Sequence, residues 1–84
     1  MKKIVLDGNY LCNREAAHAY LQEVLELPTH YGKNLDALYD CLTELQDICI
    51  EIKRPEEVND YFKRVLRVFN GAEMEGESFS VVVK

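Results

Sequence analysis

The chain has 84 residues, of which 48% are hydrophobic and 30% charged, and its formal net charge is −5. This length fits one small domain, and the hydrophobic share excludes a disordered chain, which lacks the apolar surface needed to offset its ordering entropy. The acidic balance argues against nucleic-acid binding, which usually needs a basic surface, and favours a basic partner instead.

Short β-prone runs alternate with segments of helical spacing along the chain. The first run, 3–6, is closed by the turn cluster Asp7-Gly8-Asn9. Asn13 and Asn34 each suit the start of a helix, because an asparagine side chain accepts a hydrogen bond from a free first-turn amide. Pro28 ends the first helix. The predicted elements in this half are strand one at 3–6, helix one at about 14–26, helix two at about 35–45 and strand two at 47–52.

The second half of the chain contains a long helical pattern followed by a strand. Pro55 suits the first turn of a helix, where its missing N–H costs nothing, and helical spacing continues to about Glu75. Asn59 and Asp60 could restart the pattern, so the segment forms either one helix or two. Residues 78–84 form strand three. Strands separated by helices predict an α/β fold, a three-stranded parallel sheet packed by three to four helices.

Helix two has a polar side and an apolar side. A helix advances about 100° per residue, so the side chains of Asp36, Tyr39, Asp40 and Thr43 fall within an arc of about 100°. They supply two carboxylates, an aromatic ring and a hydroxyl. A tyrosine between two aspartates is typical of a protein interface. A generic polar surface, in which Asp36 complements the helix dipole, explains the composition equally well. The loop before the helix adds His30, Tyr31 and Gly32 to the same surface. The polar residues are Asp36, Tyr39, Asp40 and Thr43, opposite Leu35, Leu38, Leu42 and Leu45.

Catalytic motifs are weak in this sequence. The Asp36 and Asp40 pair could serve acid–base or metal chemistry, but nothing at a fitting spacing completes a metal site, and no glycine-rich phosphate loop occurs. Cys41 points toward the leucine side of helix two, and His18 is expected on the solvated outer side of helix one. We therefore expect a binding protein and not an enzyme, with no cofactor and no metal.

The cysteines and the N-terminus indicate the compartment. Three cysteines without a CxxC motif are typical of reduced thiols and not of a secreted disulfide scaffold. No apolar run reaches the roughly 18 residues of a membrane span, and the first apolar run is too short for a signal-peptide core. We therefore expect a cytoplasmic protein that does not bind membranes.

Residues 27–43, which read LPTHYGKNLDALYDCLT, resemble the signature of the barstar family, the intracellular inhibitors of barnase-type ribonucleases. A second similar stretch runs from Val65 to Phe69 and continues through Ala72 and Glu75 to a valine-rich end. The resemblance covers nearly the whole chain, apart from a shorter segment around 53–60. It implies one barstar-like domain over 1–84 with a three-stranded parallel sheet.

The resemblance also implies a partner and a binding surface. Members of this family bind a basic ribonuclease one to one and plug its RNA-binding cleft with an acidic helix, so the free chain is expected to be a monomer. Asp36 and Asp40 match the two key acidic positions, and the match to Asp40 docks between arginines where a substrate phosphate would lie. The implied partner-binding residues are His30, Tyr31, Gly32, Asn34, Asp36, Tyr39, Asp40, Thr43 and Glu75.

Several positions depart from the family pattern. His30 stands where the family has a tyrosine, Tyr39 and Leu45 each replace a tryptophan, and Gly71 replaces an acidic contact, whereas Glu75 matches a further acidic position. These departures bear on the identity of the partner and on the tightness of binding more than on the mode of inhibition. The alternative is an acidic interaction module on the same fold with a different basic protein as its partner.

Overall fold

The computed structural model describes residues 2–76 and 78–84. Within these ranges the chain forms three strands, three α-helices and one short 3-10 helix. In chain order they are β1 (Lys2–Asp7), the 3-10 helix (Gly8–Leu11), α1 (Arg14–Val24), α2 (Leu35–Thr43), β2 (Ile48–Lys53), α3 (Asp60–Glu75) and β3 (Phe79–Val83).

The three strands form one parallel sheet in the order β1-β2-β3. The register aligns Ile4 with Ile50 and Ile50 with Val81. Parallel neighbours need long crossover connections, and here α1 and α2 lie between β1 and β2, and α3 between β2 and β3. This arrangement confirms the predicted α/β fold with a three-stranded parallel sheet.

The two faces of the sheet differ in burial. Leu6, Ile50 and Ile52 on the inner face have no solvent exposure, whereas Val5 and Val82 on the other face are 45% and 43% exposed. We call this second surface the open sheet face; it consists of Lys3, Val5, Glu51, Val82 and Lys84.

An ion-pair cluster lies at the centre of the open sheet face. The Glu51 carboxylate lies 3.2 Å from the ammonium group of Lys3 and 3.1 Å from that of Lys84. Hydrogen bonds from Lys84 and Lys3 hold the pKa of Glu51 below its usual value. Because one carboxylate joins two lysines from β1 and the C-terminal end of β3, the cluster links the two edges of the sheet.

Each α-helix begins at an asparagine. The N-caps are Asn13, Asn34 and Asn59, and each side chain accepts a hydrogen bond from the backbone N–H three residues on, at 2.7–3.0 Å. Such a bond satisfies one of the amides that a helix start leaves without a partner. The predicted starts of the first two helices are therefore confirmed.

The third helix begins at Asp60 and not at Pro55, where the sequence analysis expected the helical segment to start. Pro55 does not begin a helix; it is buried in the segment after β2, and a single helix starts at Asp60 behind the Asn59 cap. The segment is held to the 3-10 helix instead. The Asn9 side chain accepts a hydrogen bond from the Glu56 N–H at 2.9 Å, and Asn59 donates its side-chain amide to the Cys12 carbonyl at 2.8 Å.

The sequence did not predict the 3-10 helix, whose geometry depends on distant contacts. Gly8 lies so close to the end of β2 that an added Cβ would clash with the carbonyl oxygen of Lys53. Leu11 at its end is fully buried and belongs to the hydrophobic core between the helices and the inner sheet face.

Among the helices of residues 2–76 and 78–84, none combines the length and the apolar character that a membrane span requires.

Candidate functional site

The acidic face of α2, defined as Asp36, Tyr39, Asp40 and Thr43, points away from the core. Asp36 and Asp40 are exposed, whereas Leu38 and Leu42 on the other side of the helix are completely buried. The predicted division of this helix is confirmed at these positions. Because the inner side chains are packed in the core, the two carboxylates stand one helical turn apart on a rigid support.

The loop 28–34 leads directly into the acidic face. Its end is fixed by Asn34, which caps α2 and also donates its side-chain amide to the Gly32 carbonyl at 3.3 Å. The left-handed backbone in this loop occurs at Lys33, with φ 53°, and not at a glycine. Space is limited at Gly32, since an added Cβ would lie 3.3 Å from both the Ala37 Cβ and the Asn34 side-chain nitrogen and these neighbours would have to shift slightly.

Tyr31 is the main departure from the expected partner surface. Its side chain is only 6% exposed, and its hydroxyl lies 2.5 Å from Nδ1 of His18. Burial raises the pKa of the Tyr31 phenol well above its usual value. Tyr31 therefore faces inward and supports the loop, and it offers a partner little side-chain surface.

His18 is buried, so the expectation of a solvated outer position on helix one is wrong. Only 1% of the residue is exposed, because the loop carrying Tyr31 and the first turn of α3 cover that side of α1. Nε2 of His18 lies 2.7 Å from the hydroxyl of Tyr61. Burial, with the positive charge of Arg14 as a second cause, lowers the pKa of His18.

Glu75 joins the acidic face from the end of α3. Tyr39 lies between the two helices, and burial raises the pKa of its phenol, with the negative charge of Glu75 as the next cause. An added Cβ at Gly71 would lie 3.5 Å from the Tyr39 ring. Gly71 thus leaves room beside the tyrosine, and the structure brings Glu75 close to the residues of α2.

A hollow of about 240 Å³ separates the loop from the acidic face. Asp40 and Glu44 contribute carboxylates to its wall, and His30 lies on the loop side. Both carboxylates are exposed, so the hollow suits a basic side chain from a partner. The sequence analysis did not place Glu44 in the site.

Cys41 also lines this hollow but is not suited to nucleophilic attack. Burial raises the pKa of its thiol, and the negative charges of Glu44 and Asp40 raise it further. The thiolate, and not the thiol, is the nucleophile, so this environment keeps the group in its unreactive form. Within the described residues, no three His, Cys, Asp or Glu side chains are grouped so that they could hold a metal ion.

The structure therefore assembles most of the expected surface. His30, Gly32 and Asn34 lie in the loop next to the acidic face, and Glu75 lies beside Tyr39. Sequence reasoning missed the inward role of Tyr31 and the contribution of His18 and Tyr61. The spacing of His18 from Leu21 and Leu25, which are both buried, was a usable signal, since residues three and seven positions apart share a helix face.

Comparisons with known proteins show the family to which this chain is related. A family model described as Barstar (barnase inhibitor) matches residues 1–84. The chain is also similar to a protein of Bacillus subtilis (strain 168) named "Putative ribonuclease inhibitor YrdF". The two are 36% identical over 91 residues, and the alignment covers 100% of each chain.

Proposed function

The chain belongs to the barstar family of barnase inhibitors, and we propose that it binds a basic, barnase-type ribonuclease one to one and closes the RNA-binding cleft. The acidic face of α2 is the part that enters the cleft. The family is one of inhibitors and not of enzymes, so the chain acts by occupying the ribonuclease active site.

The observation that carries this proposal is the position of Asp36 and Asp40. Both carboxylates are exposed on a helix whose other side is packed in the core. No ion pair within residues 2–76 and 78–84 neutralises either of them. Their negative charge is therefore available to arginines and lysines that would otherwise bind the phosphates of RNA.

Asp40 is the carboxylate that we place in the phosphate site of the ribonuclease. It lies in the middle of the acidic face and on the edge of the hollow between α2 and the loop. A carboxylate and a phosphate oxygen both accept paired hydrogen bonds from an arginine. A ribonuclease arginine that contacts Asp40 can therefore extend toward Glu44 in the same hollow.

The surrounding residues add area and selectivity to the contact. His30 and Gly32 on the loop side border the hollow, and Asn34 holds the end of the loop. Tyr39 supplies a partly buried ring on the α3 side, where Glu75 adds a further carboxylate. Tyrosine is one of the residue types enriched among those that dominate the binding energy of protein interfaces.

Inhibition of purified barnase-type ribonucleases tests the proposal. Hydrolysis of RNA is measured at increasing concentrations of the chain, with stoichiometry from calorimetric titration. We expect complete inhibition at one chain per ribonuclease, and a large loss of inhibition in Asp36→Asn. The matched control is Asp60→Asn, since Asp60 is the corresponding first-turn acid of α3.

Two results would contradict the proposal. In the first, every ribonuclease of a barnase-type panel remains active in the presence of an excess of the folded chain. The other is equal inhibition by the parent and Asp36→Asn. The alternative, an interaction module for another basic protein, predicts the first result together with capture of a basic protein that has no ribonuclease activity.

A further inference from the structure

Three hydrogen-bonded side chains, all buried or half-buried, link the loop 28–34 to α1 and α3. They are Tyr31, His18 and Tyr61. His18 accepts or donates at both ring nitrogens, with Tyr31 at 2.5 Å and Tyr61 at 2.7 Å. The His18 ring is tilted by 50° against Tyr31 and by 77° against Tyr61. We propose that His18 and Tyr61 are positioning residues that hold this loop in its docking conformation, and this inference rests on the proposed function.

Tyr31 is the loop residue through which His18 and Tyr61 can hold the loop in place. Within 28–34, all of which is described, Tyr31 is the buried residue and the other six positions are exposed. Its backbone N–H donates to the Pro28 carbonyl at 3.0 Å, which closes a turn over residues 28–31 that ends at Tyr31. Because the inward tyrosine fixes the turn, it also fixes the outward direction of His30 and Gly32 on either side.

The position of the proton makes the three residues act as a unit. A neutral imidazole carries one N–H donor and one acceptor nitrogen, so one tyrosine accepts from His18 and the other donates to it. Loss of either hydroxyl leaves a buried ring nitrogen without a partner, which costs more than the bond itself contributed. The hydroxyl of Tyr61 therefore affects Tyr31 through the ring of His18, although Tyr61 belongs to α3.

The charged and titratable neighbours favour the neutral ring. Burial and Arg14 both oppose protonation of His18. Five charged or titratable groups from α1, the loop, α2 and α3 face these three residues or line a separate hollow beside His18. They are Arg14, Glu15, Lys33, Cys41 and Arg64.

Tyr61→Phe tests the inference, because it removes only the hydroxyl oxygen that lies 2.7 Å from Nε2 of His18. The matched control is Tyr20→Phe, since the Tyr20 hydroxyl also makes one partly buried hydrogen bond, to the Asp7 N–H at 2.9 Å, but does so away from the loop. The first measurement is made on the free chain. We expect the backbone amide NMR signals of residues 29–34 to shift and to exchange faster in Tyr61→Phe and to remain unchanged in Tyr20→Phe.

The second measurement is the affinity for an inhibited ribonuclease. One lost hydrogen bond of ordinary strength corresponds to a fall of about 2- to 10-fold, and we expect this fall in Tyr61→Phe but not in Tyr20→Phe. In a Tyr31→Phe background, Tyr61→Phe should cause no further fall, because the connection to the loop is already cut.

The outcomes separate this inference from the proposed function. If no ribonuclease binds the parent chain, the proposed function fails, and the amide signals of the free chain still decide whether Tyr61 holds the loop. Loop amides that do not respond to Tyr61→Phe overturn the inference even when ribonuclease binding is intact. Shifted loop amides with unchanged affinity overturn the claim that the held conformation is the docking one.

Discussion

The acidic face of α2 and the open sheet face carry their charges in opposite ways. On the sheet, Glu51 lies within 3.2 Å of two lysine ammonium groups, so its charge is neutralised inside the molecule. On α2, Asp36 and Asp40 have no such partner within the described residues. In this molecule the carboxylate between the strands is paired internally, whereas the two carboxylates that we propose for partner binding are exposed and unpaired within the described residues.

The largest effect that would sharpen this comparison is the loss of Asp40. We expect Asp40→Ala to weaken ribonuclease binding by roughly 2–5 kcal/mol, or about 30- to 4,000-fold, because the arginines in the complex lose a buried counter-charge. The range includes measurements on barnase and barstar, which belong to the same type of complex as the one proposed for this chain. Calorimetric titration measures the affinity, and Glu51→Gln is the control that should bind as the parent does.

The stability of the fold, unlike its binding, should change little in Asp40→Ala. Asp40 is exposed, and an exposed site of this kind changes the free energy of unfolding by about 0.5 kcal/mol or less. Removing repulsion from Asp36, four residues earlier, could even stabilise the helix. A variant that binds as tightly as the parent would contradict the proposed docking of α2, and a collapsed melting transition would show that the binding loss is indirect.

The next effect concerns the rate of association. Residues 29–48 contain one basic and four acidic residues and so carry −3 of the net charge of −5. Attraction between this region and a basic cleft raises the association rate, and salt screens that attraction. The rate should therefore fall at least about tenfold between 0.1 M and 1 M salt, as the screening length falls from about 10 Å to about 3 Å. Stopped-flow fluorescence measures it, and a flat rate would place the contact away from the acidic face.

Gly71 tests the border between α3 and the acidic face. Gly71→Ala should raise the free energy of unfolding by about 0.5–1 kcal/mol, because alanine favours a helix interior over glycine and the added Cβ would meet the Tyr39 ring at an ordinary contact distance of 3.5 Å. Urea unfolding measures the gain. Unchanged ribonuclease binding is expected, and a loss would identify the surface beside Tyr39 as a contact that needs glycine.

The smallest effect is the pH dependence of the open sheet face. The pKa of Glu51 is lowered in the folded chain, so the unfolded chain binds a proton more readily, and the stabilisation is full above the usual pKa of glutamate and lost as pH falls through the lowered pKa. Parent and Glu51→Gln should differ in unfolding free energy at neutral pH and converge in acid. Parallel curves across that range would contradict the pairing.

The sequence alone determined the fold class and the acidic face, because both depend on local periodicity. Leucines at helical spacing put Leu38 and Leu42 in the core and Asp36 and Asp40 outside, and Asn13 and Asn34 marked two helix starts through bonds made within one turn. A long, specific stretch at 27–43 carried the resemblance that the family match then confirmed.

Only the tertiary structure decided the roles of Tyr31, His18 and Pro55. Each role depends on a partner far along the chain: the bond between His18 and Tyr61 joins residues 43 positions apart, and that between Asn9 and Glu56 joins residues 47 apart. A pattern of polarity cannot show that a histidine on a helix is covered by a loop and by another helix. Burial of a polar side chain is favourable only when such distant partners satisfy its hydrogen bonds, and packing brings those partners together.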